Sequence, residues 1–543
     1  MDRIVVGRVL RMVQKQLLTG FRDDIGVMAE RKDDISQYWL RLCRNRGYTK
    51  ISTPLVEYKE AFKGYALGRS QQMYECIDSA DSAVVIRPDL TMPIGRFLST
   101  TNIELPRTLY YLGDVLVKHK QHQGHINQVT QGGIEMVGYE GLDAELECIS
   151  IIQEVNQSEL NNQLYLELGD AQFARAITDA LGLMEAEREE LLEALFTKYL
   201  PRYNELIAAY RNSALYPFLI LWPRLFGTIE EIRTALAEVI LPTTAQRIVD
   251  HLLDVGMSID NTGQAVRIDI SNEPPQSYYT GITFRGYVDG ISQYIVSGGR
   301  YDHVLSNFDG EPMPAVGMAF NIDVLTAVSS IGERVPQRKG GLRIALTKGR
   351  VEKDFIPLLE ACGIDCEPLR NKARKLIIAL GDDLEVILAK GPDVTTYLHN
   401  GVVDLGIVGS DVLDEQDNTS YELLDLKTGQ CQFVLASLAG YNPREGRRQR
   451  IGTKYPTITK QYFGSQDVEI IKIEGSVELA PLVGLADAIV DITETGTTLR
   501  ENNLEIFDYL RPISTRLVAN PLALKQKRNI IFDLVDRLAT AIN

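Results

Sequence analysis

The chain has 543 residues, 45% of them hydrophobic and 24% charged, with a formal net charge of −16. Length and composition predict a folded globular protein of about three or four domains at roughly 150 residues each, and they exclude a disordered chain. The acidic balance excludes a mainly nonspecific nucleic-acid binder, which needs a basic surface to displace counterions from phosphates.

Residues 1–19, with Arg3, Arg8, Arg11 and Lys15 among apolar side chains, read as a helical extension. No apolar core with a small-residue cleavage site follows Met1. No apolar run reaches the roughly 18–20 residues a membrane helix needs. The expectation is a cytoplasmic protein with no membrane or nucleic-acid partner. Strand-like runs follow at Ala83–Ile86, Leu109–Leu112 and Tyr294–Val296, and helical spacing at 143–157 and 184–210. From about 171 to 258 the pattern is almost wholly helical, interrupted at Pro201, Pro217 and Pro242, as in a helical insertion within a strand-rich domain. Gly332–Gly341, with charge, a proline and a glycine pair, reads as a linker.

Beyond it, strand and helix alternate. Leu342–Leu346, Leu376–Leu380, Glu385–Leu388, Asp404–Val408, Cys431–Leu438, Val468–Ile473 and Thr515–Ala519 are strands. Val351–Cys362, Val394–His399 and Arg528–Ile542 are helices. This alternation predicts α/β layers on largely parallel sheets. The six cysteines show no CxxC spacing and read as free thiols. His119, His122 and His125 sit in a polar stretch with no nearby cysteine or acidic fourth ligand, so no metal site is expected.

Two loops of the second half carry chemistry. Asp487–Val490 runs into Asp491-Ile-Thr-Glu-Thr-Gly-Thr-Thr498, which leads into a helix candidate. Gly496 lets the backbone turn tightly. Thr495, Thr497 and Thr498 offer hydroxyls, and consecutive N–H groups at a helix start bind anions. A phosphomonoester fits there, with acidic residues for sugar hydroxyls or Mg²⁺. A plain strand-to-helix turn with a threonine cap is the alternative. The second loop, Thr347-Lys348-Gly349-Arg350, puts two cations at the end of a strand, where they suit a polyanion or form a solvated basic turn. Arg374 and Lys375 can add charge.

Residues 342–543 resemble the short-form catalytic subunit of ATP phosphoribosyltransferase. The resemblance rests on Ile344–Arg350, Asp404–Gly409 with Asp411, Gly452–Pro456, and Glu474-Gly-Ser-Val-Glu-Leu-Ala-Pro-Leu-Val-Gly-Leu-Ala-Asp-Ala-Ile-Val-Asp491. It implies a two-lobed, periplasmic-binding-protein-like α/β domain that condenses ATP with phosphoribosyl pyrophosphate (PRPP). It places Lys348, Arg350, Arg374 and Asp491 in catalysis, and Glu494, Thr495, Gly496, Thr497 and Thr498 on PRPP. Gly409, Asp411 and Lys390 fall to the ATP side, and Mg²⁺ comes with the substrates. Lys390 stands where the family often has arginine, which keeps the charge but loses the bidentate fork.

Residues 20–331 resemble the family's regulatory subunit, a class II aminoacyl-tRNA-synthetase-like antiparallel-sheet domain related to histidyl-tRNA synthetase. The carriers are Arg87–Thr91, Tyr110–Gly113, Gln131–Gly138, Ser277–Gly281, Ser297–Asp302 and Pro314–Phe320. Aligned without gaps, the synthetase's ATP-binding arginines fall at Val117, Pro274 and Val324, and the glutamate after the first of them at His119. Aminoacylation of tRNA is therefore not expected. Asp89, Thr91, Gln131, Glu135, Tyr278 and Tyr279 remain as a pocket implied to bind histidine as inhibitor. The resemblance further implies a homo-oligomer, a tetramer by analogy with the family's hetero-octamer. A binding protein using the two-lobed fold for a small ligand is a third reading, opposed by the cationic and threonine loops.

Overall fold

The structure is a computed structural model that describes residues 17–63, 65, 72–119, 126–291, 293–308, 310–331, 341–416, 420–442 and 448–542. Most of the extension read at 1–19, the linker at 332–340, and His122 and His125 lie outside the described residues. The chain divides into two compact units rather than three or four, Met1–Phe196 with Asn204–Gln337, and Arg338–Asn543 with Thr197–Tyr203.

The first unit is built on a nine-stranded sheet. Its centre is antiparallel, in the order β1 (Arg107–Leu116), β2 (Gln128–Val137), β6 (Ala315–Asn321), β5 (Val296–Arg300), β4 (Ile282–Val288) and β3 (Leu164–Asp170). Short strands at 49–50, 266–269 and 226–227 extend the two ends. Between β3 and Val266 the chain is helical apart from the two-residue strand Phe226–Gly227. The three prolines read as interruptions, Pro201, Pro217 and Pro242, stand at helix starts: Pro201 and Pro217 in first turns, Pro242 as the N-cap of Thr243–Asp260. A missing N–H costs least at that position.

Two adjacent glycines set what each face of β2 can carry, because successive residues of a strand point to opposite faces. Gly132 admits Trp39 of helix α1 (Val27–Asn45): a Cβ there would lie 3.0 Å from its ring. The indole Nε1 donates to the Tyr111 carbonyl (2.9 Å), and the ring meets Phe320 edge-on at 5.5 Å. Gly133, on the other face, leaves room for the Tyr111 ring: a Cβ would stand 2.3 Å from Tyr111 Oη and 2.6 Å from the Met318 carbonyl. Gly317 lies beside Glu135, whose Oε2 would be 1.7 Å from an added Cβ. Strand β5, expected at Tyr294–Val296, runs instead over Val296–Arg300 through Gly298 and Gly299.

The second unit has two lobes. The first lobe's sheet is ordered Ile377–Ala379, β8 (Leu384–Ala389), β7 (Leu342–Thr347), β9 (Leu405–Gly409), β14 (Thr515–Ala519), Tyr421–Asp425, with β8, β7 and β9 parallel. The second is ordered Val468–Lys472, β11 (Gln449–Thr453), β12 (Ala488–Thr493), β10 (Cys431–Leu438), β13 (Leu504–Ile513), with the first three parallel. The chain passes between lobes twice, at 426–430 and at Ser514. There Ser410 and Ser514 exchange two hydrogen bonds, of 3.0 and 3.3 Å.

The parallel strands end in strand-to-helix turns. They lead into α3 (Arg350–Ala361), α4 (Gly391–His399), α5 (Ser410–Gln416) and α6 (Pro456–Phe463), and after β12 into α7 (Thr497–Glu501). In open α/β sheets such ends hold the ligand.

Both tryptophans of the chain, Trp39 and Trp222, lie in the first unit, so intrinsic fluorescence reports its unfolding alone. Gly133→Ala should lower that unit's stability by about 1–3 kcal/mol, the usual cost of overpacking. A denaturation midpoint equal to wild type would refute this account of the sheet.

Candidate functional site

In the first unit the residues expected for histidine gather on the open face of β2. Asp89 and Thr91 stand at the start of helix α2 (Thr91–Thr100), where Asp89 Oδ1 accepts the Met92 N–H (3.1 Å) and Oδ2 the Tyr278 hydroxyl (3.2 Å). Glu135, 1% exposed, accepts the hydroxyls of Thr91 (2.8 Å), Tyr111 (3.4 Å) and Tyr301. Tyr278 packs against Tyr279 (5.1 Å between centroids), Tyr301 (5.7 Å) and Tyr65 (6.3 Å). The result is two buried carboxylates inside a cage of tyrosines. Tyr65, Tyr111 and Tyr301 were not singled out in the sequence, although Tyr111 and Tyr301 lie within the stretches that carry the resemblance.

Gln131 is four residues from Glu135 on the same face of β2, where the cage opens into a cleft of about 810 Å³. Val117, His119 and Val324, three of the four positions that lack the synthetase's charged groups, line this cleft. Pro274 does not; it borders a separate small cavity with Asp170 and Asp269. Arg22 also lines the large cleft, but its guanidinium is held by Asp24 (3.0 Å) and Asp323 (3.1 Å).

Burial pushes the Glu135 carboxyl up to about 8, with Asp89 adding repulsion and the hydroxyls of Tyr301, Thr91 and Tyr111 opposing it. Burial likewise pushes Asp89 up to about 6, against the Met92 N–H and the Tyr278 hydroxyl. Such a pair suits a ligand that brings positive charge.

In the second unit the five turns converge on the cleft between lobes. Gly349, with φ 93°, is the N-cap of α3 and sets Lys348 and Arg350 at the end of β7, both exposed. Arg350 reaches across to the second lobe and binds Glu494 with both Nη atoms, at 2.5 and 3.0 Å. Gly496, with φ 70°, caps α7 and donates its N–H to Thr493 Oγ1 (2.9 Å). Thr495 and Thr497 hydroxyls lie 2.9 Å apart, and Arg500 donates to Thr497 (3.2 Å). Thr498 is exposed on the same turn. Asp491 is half-buried on β12, its carboxyl pushed up to about 6 by burial and by Glu478, against Lys454.

Gly409 leaves space for the Asp411 carboxylate, which an added Cβ would approach to 2.1 Å. Burial raises the Asp411 carboxyl, and Tyr455 of the second lobe donates to it (3.4 Å). Lys390 is the exposed N-cap of α4. Arg374 is exposed in the turn before Ile377, whose strand pairs with the carboxyl end of β8 through the bond from Leu388 N to Leu376 O (2.8 Å). It therefore stands at the same rim. Basic side chains thus line one lobe, and a hydroxyl-rich helix start faces them from the other. An exposed ion pair such as Arg350–Glu494 is worth only about 0.2–1 kcal/mol, so a phosphate can take the guanidinium at small cost.

A two-lobed α/β domain with basic and hydroxyl-bearing rims, carried in one chain with an antiparallel-sheet domain that encloses a carboxylate–tyrosine cage, defines the class. Residues 20–325 match the histidyl-tRNA synthetase family and residues 390–540 the ATP phosphoribosyltransferase family. The ATP phosphoribosyltransferase of Lactiplantibacillus plantarum is 66% identical over 205 residues, 37% of this chain and 94% of that protein. The ATP phosphoribosyltransferase regulatory subunit of the same organism is 41% identical over 321 residues, 59% of this chain and 84% of that protein. A crystal structure described as an ATP phosphoribosyltransferase regulatory subunit/histidyl-tRNA synthetase from Bacillus halodurans shares the fold, at TM-score 0.51 and 22% identity over 69% of this chain and 93% of that one. The chain belongs to the ATP phosphoribosyltransferase family in its C-terminal unit, a family of enzymes, and to the histidyl-tRNA synthetase family, on its regulatory-subunit side, in its N-terminal unit. Among the described residues no helix is long and apolar enough to cross a membrane.

The raised carboxyls fix a sign. The folded protein keeps protons that the unfolded chain, with an ordinary glutamate value of 4.5, has already released. Stability of the unligated first unit should therefore fall as pH rises from about 4.5 to about 8 and level off above. Glu135→Gln should flatten that slope in tryptophan-monitored urea unfolding; an unchanged slope would place the titration elsewhere.

Proposed function

We propose that the chain is a single-chain, histidine-regulated ATP phosphoribosyltransferase. It joins N1 of ATP to C1′ of PRPP and releases pyrophosphate, the first step of histidine biosynthesis. The observation that carries this reading is the meeting of the Lys348–Arg350 rim with the Glu494–Thr498 cradle across one cleft, bridged by Arg350 and Glu494.

The new bond is N1–C1′, and the bond broken is from C1′ to the pyrophosphate oxygen. Adenine N1 has a free lone pair, so no proton need be removed before attack, and alignment carries much of the rate. Thr495, Thr497, Thr498 and the N–H groups after Gly496 hold the 5′-phosphate. Lys348, Arg350 and Arg374 neutralise the departing pyrophosphate. Mg²⁺ enters with PRPP and ATP as part of the substrates, and Asp491 and Glu494 supply oxygen ligands of the kind it takes. Gly409, Asp411 and Lys390 form the ATP side.

Histidine binds in the tyrosine cage of the N-terminal unit as a feedback inhibitor, its positive charge against Asp89 and Glu135 and its other end toward Gln131. Val117 and Val324 offer no charge to a triphosphate, so the pocket binds without activating. The protein works in the cytoplasm as a homo-oligomer, a tetramer by analogy with separate subunits.

Purified protein given ATP, PRPP and Mg²⁺ should form phosphoribosyl-ATP, and histidine should suppress it. Absence of product would sink the catalytic reading, and insensitivity to histidine the regulatory one. Gly496→Val should abolish turnover while histidine binding stays intact. Glu135→Gln should weaken histidine inhibition by about 10–100-fold, the loss of one charged hydrogen-bonding partner at about 1.5–3 kcal/mol, with uninhibited turnover unchanged. Inhibition as tight as wild type would move the regulatory site away from the cage.

A further inference from the structure

The helix α5 follows Gly409 at the end of β9 in the first lobe, yet its acidic side chains are engaged by the second. Asp411 accepts the Tyr455 hydroxyl (3.4 Å), and Asp414 pairs with Arg511 of β13 (3.2 Å). The Glu415 carboxylate accepts the backbone N–H groups of Thr457 (3.0 and 3.1 Å) and Ile458 (3.2 Å). Those two N–H groups open the first turn of α6. That helix has Tyr455 at its N-cap and no cap from its own side chains. The first N–H groups of a helix need acceptors, and a negative charge there is favoured by the helix dipole. Glu415 supplies both from the opposite lobe.

Lys454 and Tyr455 immediately precede α6. Tyr455 packs edge-on against Phe433 (5.0 Å) and reaches Asp411; Lys454 lies close enough to Asp411 and Asp491 to oppose the rise that burial gives both carboxyls. Whatever holds the start of α6 therefore sets how far the second lobe's rim stands from the Gly409–Asp411 turn.

We propose that Glu415 is a positioning residue that caps α6 across the cleft and thereby fixes the spacing at which the two substrates meet. The proposal rests on the phosphoribosyl-transfer reading. It places the effect on the joint step and leaves each lobe's own contacts alone, because a displacement of about 1 Å between reactants can cost on the order of 100-fold in rate.

The test uses the full chain with Glu415→Ala and Glu415→Gln. Glu415→Ala should lower kcat about 10–100-fold while direct PRPP binding stays within about twofold of wild type. Glu415→Gln, which keeps an acceptor oxygen, should fall between, and added acetate should restore part of the activity of Glu415→Ala alone. Amide exchange at Thr457 and Ile458 should quicken in Glu415→Ala. A wild-type kcat, or unchanged exchange at those two amides, would overturn the proposal. So would kcat, PRPP binding and denaturation midpoint falling together in both variants, as general loosening of the unit requires. If wild type itself forms no phosphoribosyl-ATP, the functional reading fails, while the exchange measurement still decides whether Glu415 caps α6.

Discussion

The carboxylate of Glu135 lies on an interior strand of the nine-stranded sheet, and burying it dictates much of what surrounds it. An ionisable group taken out of water either finds hydrogen bonds or gives up its charge. Here both happen in part. Thr91, Tyr111 and Tyr301 converge on its two oxygens, and its affinity for a proton rises. Room for that convergence comes from residues with no side chain. Gly133 lies beneath Tyr111, and Gly317 beside Glu135 itself. Gly299 plays the same part for Tyr279, whose ring an added Cβ would approach to 3.0 Å. Glycine is a poor strand former, so its repeated use on three neighbouring central strands marks a place where side-chain volume above the sheet matters more than strand propensity.

The second unit solves a different problem. Its two sheets are separate layers joined by only two chain passages, so lobe orientation has to be set by contacts across the cleft. These fall into two groups. Near the passages, the bonds of Ser410 and Glu415 to the second lobe are partly buried and use backbone groups, which restricts their geometry, and Asp414 adds an ion pair to Arg511. At the cleft mouth, Arg350 and Glu494 are both about half exposed, with side-chain exposures of 48% and 52%. Water screens such a pair, and a competing phosphate can replace it. The inner contacts thus act as a fixed joint and the outer pair as an exchangeable one, which is the arrangement a cleft needs if substrate is to enter without the lobes separating.

Much of the second unit was legible because its strands are short apolar runs largely buried on both faces, and such runs bounded by turn signals read as strands whether parallel or antiparallel. Cys431–Leu438, Thr515–Ala519 and the closing helix Arg528–Ile542 match the structure at both ends. Where the reading slipped, tertiary packing outweighed local preference. Tyr294–Val296 has the strand-forming side chains, but the strand lies over Val296–Arg300, where two glycines pair with β4 and β6. The cage was half legible. Asp89, Thr91, Glu135, Tyr278 and Tyr279 come together, whereas Tyr65 joins them from a distant segment with no local signal. Glu415 was invisible for a related reason. Its partners are backbone amides in another lobe, and nothing in a sequence distinguishes such a glutamate from one in solvent.

The two units also differ in what their loops have kept. In the C-terminal unit the strand ends present cations, hydroxyls and carboxylates, the groups the proposed phosphoribosyl transfer calls on. In the N-terminal unit the cleft beside the cage persists at about 810 Å³, but valine occupies two of the positions where a nucleotide-activating site needs arginine. A cleft that keeps its volume and loses its charge can still admit a small ligand's far end, yet it cannot stabilise a triphosphate or the charge that develops on an adenylate. On the proposed function this is the economical change. Recognition of histidine depends on the buried carboxylates and the tyrosine walls, activation depends on the arginines, and the two sets are different residues: Glu135 lies on β2 and Tyr111 on β1, whereas Val117 follows the end of β1 and Val324 lies in the helix Ile322–Ile331. Removing one leaves the other standing, so a synthetase-like pocket can become a sensor without rebuilding its sheet.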